Sequence, residues 1–149
     1  LATRVSHPNT GRATGDPIAE QMFARIALDE NLHMLFYRNV MAAALDAAPD
    51  EAMAAIVEVV EGFQMPGAEV EGFARRSVQI AMAGIYDLRI HHDEVVAPVL
   101  RAWNVWDRTD VGPRGEQARE RLAGFLHGLD AAATAFEEKR AARLARAQA

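Results

Sequence analysis

Apolar residues recur along this chain at intervals of three and four, and no stretch alternates apolar and polar as a half-buried strand does. Alanine, leucine, glutamate and arginine, all strong helix formers, dominate. The pattern predicts an all-α fold. "TGDP" is a start signal, with Asp16 as N-cap and Pro17 at the first helical position, where its missing N–H is no loss. The helix it opens should reach about Ala47, and the segment before Thr14 should end an earlier helix. "APDEAM" starts the next, to about Phe63, and "QMPG" breaks it at Pro66. A third helix is expected over about 70–83, followed by the turn "AGIYD". A fourth should run from about Asp87 to Trp103, with Pro98 kinking it or shifting its start. "VGPRG" then punctuates before a last helix over about 115–146.

The helix opened by Pro17 would be about 45 Å long at 1.5 Å per residue, which is ordinary only in a bundle. At about 100° per residue, Met22, Ile26, Glu30, His33, Tyr37, Val40 and Ala44 share one stripe. Glu20, Gln21, Asn31, Arg38 and Asn39 lie opposite. "DENLHMLFYRN" therefore puts Glu30 and His33 one turn apart at core positions. A buried carboxylate costs several kcal/mol unless it is protonated, ion-paired or metal-bound. A Glu and a His at i, i+3 can reach one ion from one helix, and ferritin-like di-iron proteins carry such a pair on each of two helices. The motif alone is common, and a buried Glu–His pair or a boundary position where both reach water accounts for it too.

Other candidates carry less. "HHDE" (91–94) repeats the spacing in His91 and Glu94, near a helix start where acidic residues suit the dipole. His7 and His127 have no acidic partner at ligand spacing and read as structural or exposed. Phe63, Met65, Trp103 and Trp106 read as packing, as do Leu122, Phe125, Leu126, Leu129 and Phe136. Gly124 and Gly128 either permit close helix contact or weaken their helix.

Composition narrows the classes. The chain has 149 residues, half hydrophobic and a quarter charged, which suits one domain with its own core. No apolar run could span a bilayer, and "LATRVSHPNT" lacks the regions of a signal peptide. With no cysteine there is no disulfide or thiolate site, and a cytoplasmic location is expected. A net charge of −5 argues against nucleic acid as a partner. Lys139, Arg140, Arg143 and Arg146 form a local exception, either a solvated helix end or a docking patch for an acidic partner.

"LATRVSHPNTGRATGDPIAEQMFARIALDENLHMLFYRNV" closely resembles the second half of the soluble acyl-[acyl-carrier-protein] desaturases. The resemblance continues through "FQMPG" and "GIYDLRIHHDEVVAPVLRAW" into the last helix, and so covers nearly the whole chain. It implies a ferritin-like bundle holding two irons. With O2 and two electrons from a ferredoxin-type donor, the enzyme would place a cis double bond in an acyl chain carried on acyl carrier protein. Glu30 and His33 match the ligands of the family's second Glu-x-x-His. Asp29 matches a carboxylate that orients a ligand imidazole, and Thr3 matches a catalytic threonine near the oxygen-binding face. Asn31 and Leu32 depart from the charged pair of the best-known members.

The resemblance also implies what this segment lacks. The family uses four carboxylates and two histidines, and "LAT" begins one residue after a ligand glutamate, so two of six ligands are expected here. Residues 1–149 are therefore expected to be the C-terminal half of one domain, with the stripe around Glu30 awaiting an N-terminal half or a second copy in a homodimer. Two alternatives compete. One is a non-catalytic helical module binding acyl chains, acyl carrier protein or another subunit. The other is a two-fold pair of chains sharing Glu30 and His33 at one metal.

Overall fold

The computed structural model describes residues 1–65 and 67–148. Helices α1 (Ala2–Thr14), α2 (Pro17–Ala47) and α3 (Pro49–Glu61) are followed by the shorter α4 (Phe73–Met82). Then come α5 (Leu88–Ile90), a π-helical turn (His91–Val96) and α6 (Ala97–Ala102) as one unbroken run. The last helix is α7 (Pro113–Gln148), and no strand occurs among the described residues. Periodicity and caps located every helix, α2 with both its ends. The break expected at Pro66 lies outside the described residues, but α3 already stops at Glu61, with Gly62 as its C-cap.

α1 and α2 form a tight antiparallel hairpin. Gly15 adopts a left-handed backbone (φ 68°), where it has no Cβ to clash, and its N–H donates to the Arg12 carbonyl at 3.2 Å. The Asp16 carboxylate then accepts from the Ile18 N–H at 2.8 Å and opens α2. At Gly11 the helices nearly touch, since a Cβ built there would stand 2.9 Å from the Glu20 Cα.

Pro98 neither breaks the run from α5 to α6 nor displaces its start. It has no N–H for the Glu94 carbonyl, and Arg4 Nη2 of α1 donates to that oxygen instead, at 3.3 Å. Just upstream the backbone widens, so that the Ala97 N–H bonds the His92 carbonyl five residues back.

The main core joins Leu45 of α2, Met53, Ile56 and Val57 of α3, Leu100 of α6, Val105 and Leu122 of α7. Polar clips hold these elements in place. Trp103 Nε1 donates to the Arg38 carbonyl at 2.9 Å. Arg108 Nη2 donates to the Leu45 carbonyl at 3.1 Å, satisfying one of the free carbonyls at the end of α2. Gly124 and Gly128 face open space, with none of the described helices packed against them.

Gly11→Ala should lower stability by about 1–3 kcal/mol, because the added methyl meets backbone that cannot swing aside. Gly124→Ala should instead add up to about 1 kcal/mol, from helix propensity alone. Urea midpoints at unchanged slope check both, and a Gly11→Ala midpoint at or above wild type would refute the close approach.

Candidate functional site

The hairpin brings the two ends of the site to the same height. Thr3 lies about 18 Å of helix before the turn and Glu30 about 21 Å after it, at 1.5 Å per residue. Thr3 Oγ1 donates to Glu30 Oε2 at 2.7 Å. The other oxygen, Oε1, stands 4.0 Å from His33 Nδ1. The Thr3 hydroxyl holds the Glu30 carboxyl below the usual range against a smaller opposing desolvation, and nearby His33 and His7 add to the effect. His7 itself is held by stacking on Phe23, ring centroids 5.8 Å apart.

The stripe found on the helical wheel is real, but its burial differs from expectation. The Glu30 side chain is 32% exposed and that of His33 is 69% exposed. The body of the protein covers α2 along Ala27, Met34 and Leu45, and no described helix covers Met22, His33, Tyr37 or Val40. Asp29 is 57% exposed and pairs with Arg25 at 3.8 Å. The expected neighbours Thr3, Glu30 and His33 are thus brought together, while Asp29 points along the flank.

Three cavities run in a row from this group. The first, about 510 Å³, is lined by Glu30, His33, Tyr37 and Trp103. The second, about 280 Å³, shares Leu1, Met41, Val99 and Trp103 with the first and is walled by apolar Ile56, Val59 and Val95. The third, about 400 Å³, shares Val60, Phe63 and His91 with the second and extends to Phe125, Leu129 and Phe136 of α7. These residues were read from sequence as simple packing, and they line open space instead. At the last partition the Tyr86 hydroxyl lies 2.7 Å from His91 Nδ1, and the His91 ring stacks on Phe63 at 4.7 Å. Burial, and then the charge of Asp87, push the Tyr86 hydroxyl above its usual range. Burial, and then neighbouring His92, push the His91 imidazole down. Both groups are therefore neutral, and the tyrosine donates. His91 is consequently no partner for Glu94, which is exposed.

Among the described residues, no three or more His, Asp or Glu side chains converge to hold a metal ion. Glu30 and His33 nevertheless fit as part of a ligand set. They offer an oxygen and a nitrogen to one cleft, and the depressed Glu30 carboxyl is already in the ionised state that a cation requires.

The sequence profile described as fatty acid desaturase matches residues 1–149. The chain belongs to the fatty acid desaturase family. Its all-α architecture is that of the ferritin-like desaturase fold. The chain is 47% identical over 146 residues to DesA1 of Mycobacterium tuberculosis, an acyl-[acyl-carrier-protein] desaturase by its assigned name; the match covers 98% of this chain and 43% of that protein. It is 27% identical to a palmitoyl-[acyl-carrier-protein] 4-desaturase of Ophrys sphegodes, covering 93% of this chain and 40% of the relative. A stearoyl-[acyl-carrier-protein] 9-desaturase of Oryza sativa is 28% identical, with 93% and 39% covered. This chain thus spans about two-fifths of the length of these relatives. No helix among its described residues is long and apolar enough to cross a membrane.

Thr3→Val should move the Glu30 titration midpoint up toward the ordinary glutamate value, read by NMR of its side-chain carboxyl carbon. The sign follows from the bond. Thr3 donates to the carboxylate, so its contribution is present above the unfolded midpoint and is lost as pH falls through the lower folded one. An unchanged midpoint would show that the hydroxyl does not set this group's charge.

Proposed function

We propose that this chain is the C-terminal half of an acyl-[acyl-carrier-protein] desaturase domain, and that it contributes Glu30 and His33 to a di-iron centre. One arrangement carries the reading: a carboxylate and an imidazole on one helix, the carboxylate held by Thr3, at the mouth of a row of largely apolar cavities. The net reaction would convert two adjacent methylenes, O2, two electrons and two protons into a cis double bond and two waters. Iron, when bound, supplies the reduction of O2 and the oxidising power that no side chain has toward an unactivated C–H bond.

The remaining steps fall to this chain's own groups. Glu30 stays ionised and His33 offers a ring nitrogen. The Thr3 hydroxyl fixes the carboxylate's orientation through Oε2 and keeps a transferable proton beside the centre. Asp29, paired with Arg25 on the flank of α2, would orient a ligand imidazole, the role that the family resemblance gives it. The apolar walls of the cavities would accept an acyl tail. The exposed edge with Met22, Tyr37 and Val40 is where the helices bearing the other ligands would pack. Leu28, Leu32 and Phe36, on the far side of α2, would face the second copy of a homodimer.

Arg75, Arg76, Lys139, Arg143 and Arg146 are exposed and suit acidic acyl carrier protein, whereas Arg140 is tied to Asp87 at 3.5 Å. A ferredoxin-type protein is the electron donor this reading requires. A second reading is a non-catalytic helical module that binds acyl chains, acyl carrier protein or a partner subunit.

Iron content and product mass, measured on the intact polypeptide that carries this segment, separate the two. The desaturase reading expects about two irons per polypeptide, and a loss of more than about 100-fold in product formation for Glu30→Gln or His33→Gln. A polypeptide without iron or product that still binds acyl carrier protein would establish the module instead. In the active enzyme, Arg75→Glu with Arg76→Glu should raise KM for acyl carrier protein at low salt and leave kcat unchanged; an unchanged KM removes this pair from the docking surface.

A further inference from the structure

The third cavity is an open groove, and Phe63, Val78 and Leu88 in its walls are exposed. One wall is α7, through Phe125, Leu129 and Phe136. Another is α4, through Ser77, Val78 and Ala81. α4 is held loosely. Ala81 is its one buried residue, no side chain caps its start, and it packs closely on no other helix. Among the described residues its one side-chain hydrogen bond is internal, from Ser77 Oγ to the Ala74 carbonyl at 2.9 Å. A glycine in left-handed backbone bounds it on each side, Gly72 (φ 76°) at its N-cap and Gly84 (φ 71°) two residues past Met82. The two ends differ. A Cβ built on Gly84 would stand 2.9 Å from Arg140 Nη2 of α7, whereas one on Gly72 would meet nothing. Gly84 is therefore the anchored end and Gly72 the free one.

We propose that α4 is a lid, hinged at Gly84, that closes on α7 when acyl carrier protein docks on Arg75 and Arg76. The inference rests on the carrier-docking reading above and adds the movement that docking drives. At about 100° per residue, Arg75 and Arg76 lie on the side of α4 opposite Ser77, Val78 and Ala81. A partner held by the arginines thus leaves the groove side free to move inward. α4 offers small side chains there, Ser77 and Ala81, against Phe125 and Leu129 of α7, so the helices can approach without a clash. Closure takes Phe63, Val78 and Leu88 out of water. The contact of Gly84 with Arg140 sets the hinge beside the basic end of α7, where Lys139 and Arg143 are exposed. An acidic surface that touches both helices binds the closed form better than the open one, because closure brings both sets of cations within its reach.

Hydrogen exchange of the intact polypeptide that carries this segment, at low salt, with and without holo acyl carrier protein, tests the lid. Without carrier the α4 amides should exchange freely, and saturating carrier should slow them at least about 10-fold. A cross-link separates closure from mere coverage. Ser77→Cys with Leu129→Cys should form a disulfide at least about 10-fold faster with carrier than without, since the bond needs Cα atoms within about 7 Å. Each single variant is the control, and Val78→Cys with Leu129→Cys serves if the first pair folds poorly. Amides of α4 already protected without carrier would mean that another part of the polypeptide fills the groove, and would overturn the lid. Slowed exchange without a faster cross-link would mean that carrier only covers α4, and overturns it too. Carrier binding, followed by fluorescence anisotropy, with no change in α4 overturns the lid and leaves the docking reading standing. Absence of carrier binding overturns both.

Discussion

The turn between α1 and α2 is the constraint from which the site follows. Two residues, Gly15 and Asp16, reverse the chain, and Gly11 lets the helices close to near backbone contact. Only at that spacing do Thr3 and Glu30, 27 residues apart, meet at 2.7 Å. Interhelical distance follows the size of the side chains at the contact, over about 8–10 Å, while a hydrogen bond tolerates only a few tenths of an ångström. A glycine eight residues from Thr3 thus sets the helix spacing on which the Thr3–Glu30 bond depends.

α1 works in two directions. Thr3 reaches α2, while the next residue, Arg4, reaches the Glu94 carbonyl that Pro98 leaves without a helical donor. The Arg4 guanidinium, at 3.3 Å, supplies a donor that the Pro98 ring cannot. Asn9 adds a third tie, from Nδ2 to the Ile85 carbonyl at 2.9 Å. The π-helical turn, the position of His91 at its start and the geometry of the hairpin are therefore coupled through one short helix. A helix carrying proline stays continuous here because a neighbour supplies what the proline lacks.

What was legible in the sequence was local. Asp16 and Pro17 sit within one turn of the helix they open, and their chemistry is nearly independent of the rest of the fold. The pairing of Glu30 with His33 was equally legible, since it depends only on helical period. Their exposure was not. A helical wheel gives the direction in which a side chain points, and burial depends on which other elements cover that direction. The π-helical turn escaped notice because its compensation comes from Arg4, 90 residues before Glu94. The partition did too. Phe63 and His91 are 28 residues apart, and a phenylalanine that packs and one that walls a cavity look the same in a sequence.

The cavities at the two ends of the row both carry polar groups in their walls, and the middle one is nearly all carbon. At one end a carboxylate is kept ionised by a hydroxyl and flanked by an imidazole. At the other end an imidazole is kept neutral by burial, with Nδ1 occupied by Tyr86. Between them Trp103 turns its one donor outward to the Arg38 carbonyl and leaves its ring carbons to the cavities. Polar atoms that already have partners exert no claim on a guest, so filling these cavities would displace no hydrogen bond made by Trp103 or by His91 Nδ1. The same pairing that satisfies these buried groups makes most of the wall read as carbon, with Glu30 and His33 at one end of the row and Glu61, Asp87 and His91 at the other.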